Sequence, residues 1–311
     1  MSSSLPLGPG AEFDRLRAIF ARLGADASGV GDDCALLSLG NTTLAVSIDC
    51  SLEGVHFRTD WLTFEEIGWR AAAAALSDLA ADGAEPLGVL VSLGMPGRGK
   101  RDTGNVDPGV EIMAGVAAAA GSVGAKVLGG DLVRSETYVV DVCVLGTAKR
   151  PVRRTGAQAG DGLWVTGTLG GAALALAGLR AGTRPAGALG RRYLHPEPRV
   201  AAGQWLAAHG ATAMLDVSDG LAADAGHLAA ASGVGLEIAL ERLPCWDGVA
   251  PLAAAASGEE FELLVTLPVS FTETPDFQLT RIGTCFRGAG VRLLEGTTPV
   301  ALPAGYDHFA P

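Results

Sequence analysis

The sequence predicts an α/β (α+β) protein of two domains, each a mixed sheet flanked by helices. Three observations lead there. Strand-like apolar runs and helical patterns intermix through both halves of the chain. The 311 residues exceed the roughly 250–300 that one hydrophobic core serves. A basic, proline-containing stretch, Lys149-Arg150-Pro151-Val152-Arg153-Arg154, interrupts the pattern near the middle. The domains are therefore read as 1–150 and 151–311.

In the first domain a short helix over 12–23 leads to a Gly- and Asp-rich turn, Gly29-Val30-Gly31-Asp32-Asp33. Residues 43–48 read as a strand ending in Asp49. Residues 64–81 carry a long helical pattern that Gly83 is placed to end, because glycine takes the left-handed conformation at a helix C-terminus without strain. A buried strand at 87–93, a polar loop through Gly109 and a helix over 110–123 follow. A strand at 126–128 stops at Gly129-Gly130-Asp131, and another spans 138–146. The second domain reads as a strand at 162–165, helices at 170–179 and 198–208, a strand at 213–215 and a helix at 221–231. Strands at 235–239, 261–267, 281–283 and 291–294 complete it.

Composition narrows the function. A net charge of −11, from 23 Lys+Arg against 34 Asp+Glu, argues against a general nucleic-acid binder, which needs a basic face to displace counterions. Only Lys100, Lys126 and Lys149 are available as a catalytic lysine. The five cysteines are scattered and never form a C-x-x-C pair, which reads as reduced thiols in a cytoplasmic protein and not as a zinc site. The N-terminus lacks the basic segment and apolar run of a leader peptide, and no apolar stretch reaches the ~18 residues of a membrane span.

An apolar run ending in aspartate recurs: 44–48 before Asp49, 127–130 before Asp131, and 213–215 before Asp216, with Ser218 and Asp219 just beyond. In α/β folds the C-terminal edges of strands open onto ligand crevices. Taken singly, each aspartate also suits a turn or a helix N-cap. Asp78 is harder to place, since it sits in the apolar stretch 71–81 with no Lys or Arg four residues away. Burying it unpaired is costly; a surface position is the alternative.

Convergence of Asp33, Asp49, Asp78, Asp131, Asp216 and Asp219 would be repulsive, at ~4 kcal/mol for two carboxylates about 4 Å apart even at a dielectric of 20. Too few basic residues lie nearby in sequence to neutralise six. Hard divalent cations would, and an all-oxygen set points to Mg²⁺. Asp33, Asp49, Asp78, Asp131 and Asp216 are thus the candidate catalytic set, and phosphoryl transfer is the natural chemistry, since it needs positioning and charge neutralisation above all. Gly129-Gly130 would let backbone N–H groups approach a phosphate, and Arg154 offers a guanidinium fork or else a solvated linker charge. The match to G-x-x-x-x-G-K at 94–100 is rejected, because Arg101 stands where a phosphate-binding loop needs Ser or Thr.

Together these motifs resemble the thiamine-monophosphate kinase family, part of the superfamily that includes aminoimidazole-ribonucleotide synthetase and selenophosphate synthetase. The resemblance runs through Gly31-Asp32-Asp33-Cys34-Ala35, Ser47-Ile48-Asp49, Glu53-Gly54-Val55-His56-Phe57, 76–84, Gly129-Gly130-Asp131, Asp216-Val217-Ser218-Asp219-Gly220-Leu221, Ser257-Gly258-Glu259-Glu260-Phe261-Glu262 and Gly305-Tyr306-Asp307-His308-Phe309. His56-Phe57 and the closing Tyr306-Asp307-His308-Phe309 favour the thiamine branch.

The resemblance implies an aminoimidazole-ribonucleotide-synthetase-like fold and ATP-dependent phosphorylation of thiamine monophosphate to thiamine diphosphate. By position it makes Asp33, Ser47, Asp49, Asp78, Asp131, Asp216 and Asp219 ligands of several Mg²⁺ ions. Ile48, where the family has threonine, would serve through its carbonyl. Gly130, Asp131, Arg154 and Ser218 would contact ATP, and His56, Glu259 and Tyr306 would line the thiamine site. Glu260 stands where the family often has aspartate. A homodimer through the first domain is also implied, with the active site between domains and near the dimer interface. Another ATP-dependent synthetase of the superfamily, a phosphatase using the same metals, and a non-catalytic Mg²⁺-binding module are the alternatives.

Overall fold

The computed structural model describes residues 4–97 and 107–309. In chain order the first half contains α1 (Ala11–Leu23), β1 (Ala35–Leu39), β2 (Thr42–Leu52), α2 (Phe64–Ala81), β3 (Glu85–Met95), α3 (Pro108–Ser122), β4 (Lys126–Arg134) and β5 (Val139–Ala148). Its five strands run β1-β2-β5-β3-β4, antiparallel except for β4, which lies parallel to β3 at the edge. Strand alternation decides the layers. Val140, Val142 and Val144 of β5 and Val89, Val91 and Leu93 of β3 are buried in one core with α2 and α3. On the opposite face Ile48, Leu87 and Leu90 stand exposed, and β4 is exposed along its whole length.

The second half contains β6 (Gly162–Thr166), α4 (Gly171–Arg180), α5 (Gly187–Leu194), α6 (Val200–Ala208), β7 (Ala213–Asp216), α7 (Leu221–Ser232), β8 (Gly235–Ala239), α8 (Pro251–Ala255), β9 (Leu263–Leu267), β10 (Leu279–Phe286), β11 (Gly290–Glu295) and β12 (Thr298–Val300). The seven-stranded sheet runs β12-β11-β8-β10-β6-β9-β7, with β8–β11 its one parallel pair.

α2 joins the two halves. Thr63 opens it with a capping box, accepting the Glu66 N–H while the Glu66 carboxylate accepts the Thr63 N–H. Gly83, at φ 64°, ends it as expected. A helix apolar on most sides is buried on most sides: α2 packs on the first sheet with one face, while its Ala80 and Ala81 join Val200, Leu206, Met214 and Val265 in a seam core with the second half. The approach is close enough to demand glycine at Gly203 of α6, where an added Cβ would lie 2.0 Å from the Ala80 carbonyl oxygen.

Three expectations are corrected. The strand at 43–48 continues past Asp49 to Leu52, paired with β5 throughout. The strand at 126–128 does not stop at Gly129-Gly130; β4 passes through both glycines with a bulge against β3. The strand expected at 261–267 begins at Leu263, because Phe261 has a left-handed φ of 49° that no strand accommodates. Residues 98–106, part of the polar loop before Gly109 and of the rejected 94–100 match, lie outside the described residues; Gly94 and Met95 of that match end β3. Among those described, no helix is long and apolar enough to cross a membrane.

Two glycine substitutions separate close packing from helix propensity. Gly203→Ala is expected to lower stability by about 1–3 kcal/mol through overpacking of the α2–α6 seam. Gly121→Ala, in α3 with open space around its Cβ, is expected to raise it by about 0.5–1 kcal/mol. Urea midpoints at unchanged m-value read both.

Candidate active site

Two consecutive side chains near the end of α2 reach opposite halves of the molecule. The Ser77 hydroxyl donates to Asp216 Oδ2 at 2.6 Å, at the end of β7. Asp78 accepts at Oδ2 from the Ser47 hydroxyl of β2 at 2.5 Å. Asp33, from the turn before β1, completes the group: Asp33, Asp78 and Asp216 each place a carboxylate oxygen within 4.8 Å of the others. Asp33 is fixed by Arg154, whose guanidinium donates to its Oδ1 at 2.7 Å, while the Arg154 main-chain N–H donates to Asp32 at 3.0 Å. Asp33 Oδ2 is buried and accepts no hydrogen bond.

The electrostatics record the crowding. Burial, and then Asp49, Asp216 and Asp33, hold the Asp78 carboxyl well above the usual carboxylate range. Burial and Asp33 push Asp216 up to about 7. Asp49 is raised by burial, Asp141 and Asp33. Cation-poor, all-oxygen and with a buried oxygen lacking a donor, the group suits a hard divalent cation and does not suit zinc. Four of the six aspartates singled out in the sequence thus converge: Asp33, Asp49, Asp78 and Asp216.

Asp219 belongs to a neighbouring group with Asp224 and His227, ligand atoms again within 4.8 Å of one another. Burial, followed by Glu12, lifts Asp219 to about 6. Asp224 Oδ2 accepts the N–H groups of Asp219 and Gly220 at 3.2 and 3.0 Å. Asp224 and His227 escaped sequence reading; their only signal is a three-residue spacing that puts both on one face of α7. A cavity of about 110 Å³ connects the two groups, lined by Asp33, Asp78, Arg154, Asp216, Ser218 and Asp219 among others. A second cavity, about 360 Å³, touches none of these residues.

Asp131 stands apart. It pairs with Ser92 on the exposed edge strand, and Ser92 pairs in turn with Asp141. Gly130 serves the strand itself, since an added Cβ would meet the Val91 carbonyl oxygen at 1.8 Å. The glycines at which the strand was expected to stop therefore make a close backbone approach within the sheet.

The three residues assigned to a thiamine site do gather. His56 Nδ1 accepts the Leu52 N–H at 3.1 Å, and its ring lies 5.0 Å from that of His308, which in turn lies 4.8 Å from Tyr306. Burial, then His308, lowers the His56 pKa, while Glu259 works to raise it. Glu259 accepts from Arg70 of α2 at 2.7 Å, so Arg70, two turns before Asp78, is committed elsewhere. Glu259 and Phe261 both have left-handed φ, 55° and 49°, a cost of about 1–3 kcal/mol each for non-glycine residues. Their N–H groups donate to the Ser218 and Val217 carbonyls at 2.7 and 2.8 Å. Behind them the buried carboxylates of Glu260 and Glu262 are held by Arg192, and Glu262 also by Arg199. Sequence reading missed these two arginines.

Two family models match the chain: the N-terminal domain of AIR synthase related proteins over residues 31–148 and the C-terminal domain over 158–273. Thiamine-monophosphate kinases of Salmonella typhimurium and Escherichia coli are 34% and 33% identical, each match covering 96% of both chains. Among solved structures, AaThiL complexed with AMPPCP and TMP superimposes with a TM-score of 0.87 at 32% identity, over 96% of this chain and 97% of that one.

Raised carboxyls set a pH dependence with a definite sign. In the pH range below about 7 for Asp216 and about 6 for Asp219, the folded state holds protons that the unfolded chain has released. The metal-free protein is expected to melt at a higher temperature as the pH falls through 7 and 6, and Mg²⁺ to stabilise it most on the alkaline side. Thermal midpoints in EDTA and in MgCl₂ from about pH 8 to about pH 6 check this; an EDTA midpoint that drops over that range would contradict it.

Proposed function

The chain belongs to the thiamine-monophosphate kinase family of AIR synthase related proteins, and from that premise we propose that it transfers the γ-phosphoryl group of ATP to thiamine monophosphate, giving thiamine diphosphate and ADP. One observation carries the reading. Carboxylates from the turn before β1, from α2 and from β7 meet within 4.8 Å of one another, one of their oxygens buried and without a donor, in a cavity shared with Asp219, whose carbonyl accepts the Tyr306 N–H at 2.9 Å.

Asp33, Asp49, Asp78, Asp216 and Asp219, with the Ser47 hydroxyl and the Ile48 carbonyl, would hold several Mg²⁺ ions. Bound there, Mg²⁺ would offset the negative charge that the two phosphates bring together. Arg154 fixes Asp33 and lines the same cavity, where its guanidinium would meet a phosphate oxygen of ATP. Ser218 sits in the same cavity as Asp216 and would contact ATP as well. Gly130 and Asp131 would meet the nucleotide from the sheet edge. His56, Glu259 and Tyr306 would line the acceptor site, between domains taken as 1–150 and 151–311.

The acceptor needs no general base. A phosphate monoester has its second pKa at about 6, so its terminal oxygen is anionic at neutral pH. That oxygen bonds to the γ-phosphorus as the bond to the ADP oxygen breaks, in line and without a phospho-enzyme. The protein's task is to hold two anions in that alignment.

The exposed β4 and the bare apolar side chains Ile48, Leu90, Leu128 and Val133 form a face that proteins cover when they can. A second copy of the chain is the occupant the family resemblance implies, in a cytoplasmic homodimer. Val133→Arg, on that open face, is expected to convert it to a monomer in sedimentation analysis.

Incubation with ATP, Mg²⁺ and thiamine monophosphate is expected to yield thiamine diphosphate and ADP by chromatography, and EDTA to abolish both. Protein that binds ATP yet forms no thiamine diphosphate would move the acceptor to another phosphorylated molecule. Asp78→Asn is expected to lower kcat roughly a hundredfold or more without lowering the thermal midpoint, since it removes a repelled charge. A parallel loss of midpoint would mark Asp78 as structural.

A further inference from the structure

Arg70 is the one cation among the buried residues of α2. Burying a guanidinium is costly unless its donors are engaged, and two groups from the second half of the chain engage this one. Nη1 donates to the Tyr193 carbonyl of α5, and Cζ lies 3.9 Å from the centroid of the Tyr193 ring. Nη2 donates to Glu259 Oε1 at 2.7 Å. Held by Tyr193, the guanidinium has little freedom, so the Glu259 carboxylate is aimed by a rigid donor. Asp78 follows two turns later on the same helix, about 12 Å along its axis.

Glu259 is fixed at its backbone as well. Its left-handed residue donates its N–H to the Ser218 carbonyl at 2.7 Å, and Tyr306 donates to the next carbonyl, that of Asp219, at 2.9 Å. The Tyr306 ring meets that of His308, which meets that of His56. Glu259 and the rings therefore attach to one turn, whose Ser218 and Asp219 line the cavity of the carboxylate group. The Glu259 side chain is 33% exposed, and among the described residues its Oε2 has no hydrogen bond. One oxygen is held and the other is open.

That division sets what the open oxygen can select. A guanidinium only donates, so the oxygen it holds is always an acceptor, and an ionised carboxylate presents a second acceptor. The pair as a whole is neutral, so it selects a hydrogen-bond donor more than a charge. Thiamine monophosphate has a single N–H donor, the amino group on its pyrimidine ring. We propose that Arg70 is a positioning residue of the acceptor site, which holds Glu259 with Oε2 open so that it selects an acceptor bearing a ring amino group. The assignment rests on the thiamine-monophosphate reading above.

The test compares thiamine monophosphate with its analogue carrying a ring oxo group in place of the amino group. The wild type is expected to favour the amino acceptor in kcat/KM by about tenfold or more, the size of one contact to a charged group. Arg70→Met is expected to lose most of that preference through a higher KM for the acceptor, with the KM for ATP within about twofold. In Glu259→Gln the amide oxygen must take the Arg70 bond, which turns the amide NH₂ outward, so the preference is expected to reverse toward the oxo analogue. Adding Arg70→Met to Glu259→Gln frees the amide to turn either way and is expected to abolish the reversal. Glu259→Gln keeps the side chain's shape at a partly exposed position and is expected to fold, which thermal midpoints check; it carries the test even if Arg70→Met does not fold. An undiminished amino preference in Glu259→Gln would overturn selection by Glu259. A reversal that persists in the double variant, or an equal rise in the KM for ATP in Arg70→Met, would overturn positioning by Arg70. A wild type that phosphorylates both acceptors equally well overturns amine selection alone, whereas one that phosphorylates neither overturns the thiamine reading beneath it.

Discussion

Asp33, Asp78 and Asp216 arrive from three separate parts of the chain, and each carries a carboxylate into space that a folded protein would ordinarily fill with apolar side chains. Neighbouring carboxylates and burial both raise the energy of the charged form; the Ser47 and Ser77 hydroxyls and Arg154, the one cation paired with the group among the described residues, answer them. Such an arrangement persists only because the surrounding scaffold imposes it. The scaffold is α2, tied by Ser77 to one sheet and by Asp78 to the other. Stability built from the apolar seam is set against local electrostatic strain, which a divalent cation bound among these carboxylates would relieve.

Rigidity on the second-domain side comes from a different source. Glu259 and Phe261 adopt backbone conformations that cost free energy, and the neighbouring Glu260 and Glu262 alternate inward onto Arg192 and Arg199. Buried ion pairs of this kind contribute little net stability, because desolvation offsets most of the attraction. Their effect here is geometric. They lock the strained segment so that its N–H groups meet the Val217 and Ser218 carbonyls and Glu259 faces Arg70. The Asp216–Asp219 turn is thereby held from behind, and its side chains are left to face the cavity.

Much of this was legible in the sequence, and the exceptions share a cause. α2 was read to its observed bounds because eighteen residues of sustained pattern, with a cap at one end and glycine at the other, leave little freedom. The aspartates were legible because an unpaired carboxylate in an apolar run is conspicuous. β1, α5, α8 and β12 were missed because each is short, between three and eight residues, and too brief for a periodic signal. Gly129-Gly130 reads locally as the end of a strand, since local sequence cannot distinguish a glycine that ends a strand from one that lets two strands approach. Arg192, Arg199, Asp224 and His227 were invisible for a related reason. Their meaning lies in partners far along the chain or in a packing position, and nothing in their immediate neighbours marks them.

If Asp131 meets the nucleotide as proposed, a single copy of the chain would be an incomplete enzyme. Asp33, Asp49, Asp78 and Asp216 share one electrostatic neighbourhood, whereas Asp131 lies on the edge strand, in register with Ser92 and Asp141 on the face no helix covers. The Asp131 carboxylate is solvated on this exposed strand, with the bare Val133 beside it on the same face. Packing a second copy against that face would cover the leucines and bring the edge strand into a walled cleft, where a carboxylate can act on a nucleotide without losing its partners to water. Dimerisation and nucleotide binding would then be linked through the same strand, because the surface that is apolar enough to associate is also the one that carries Gly130 and Asp131.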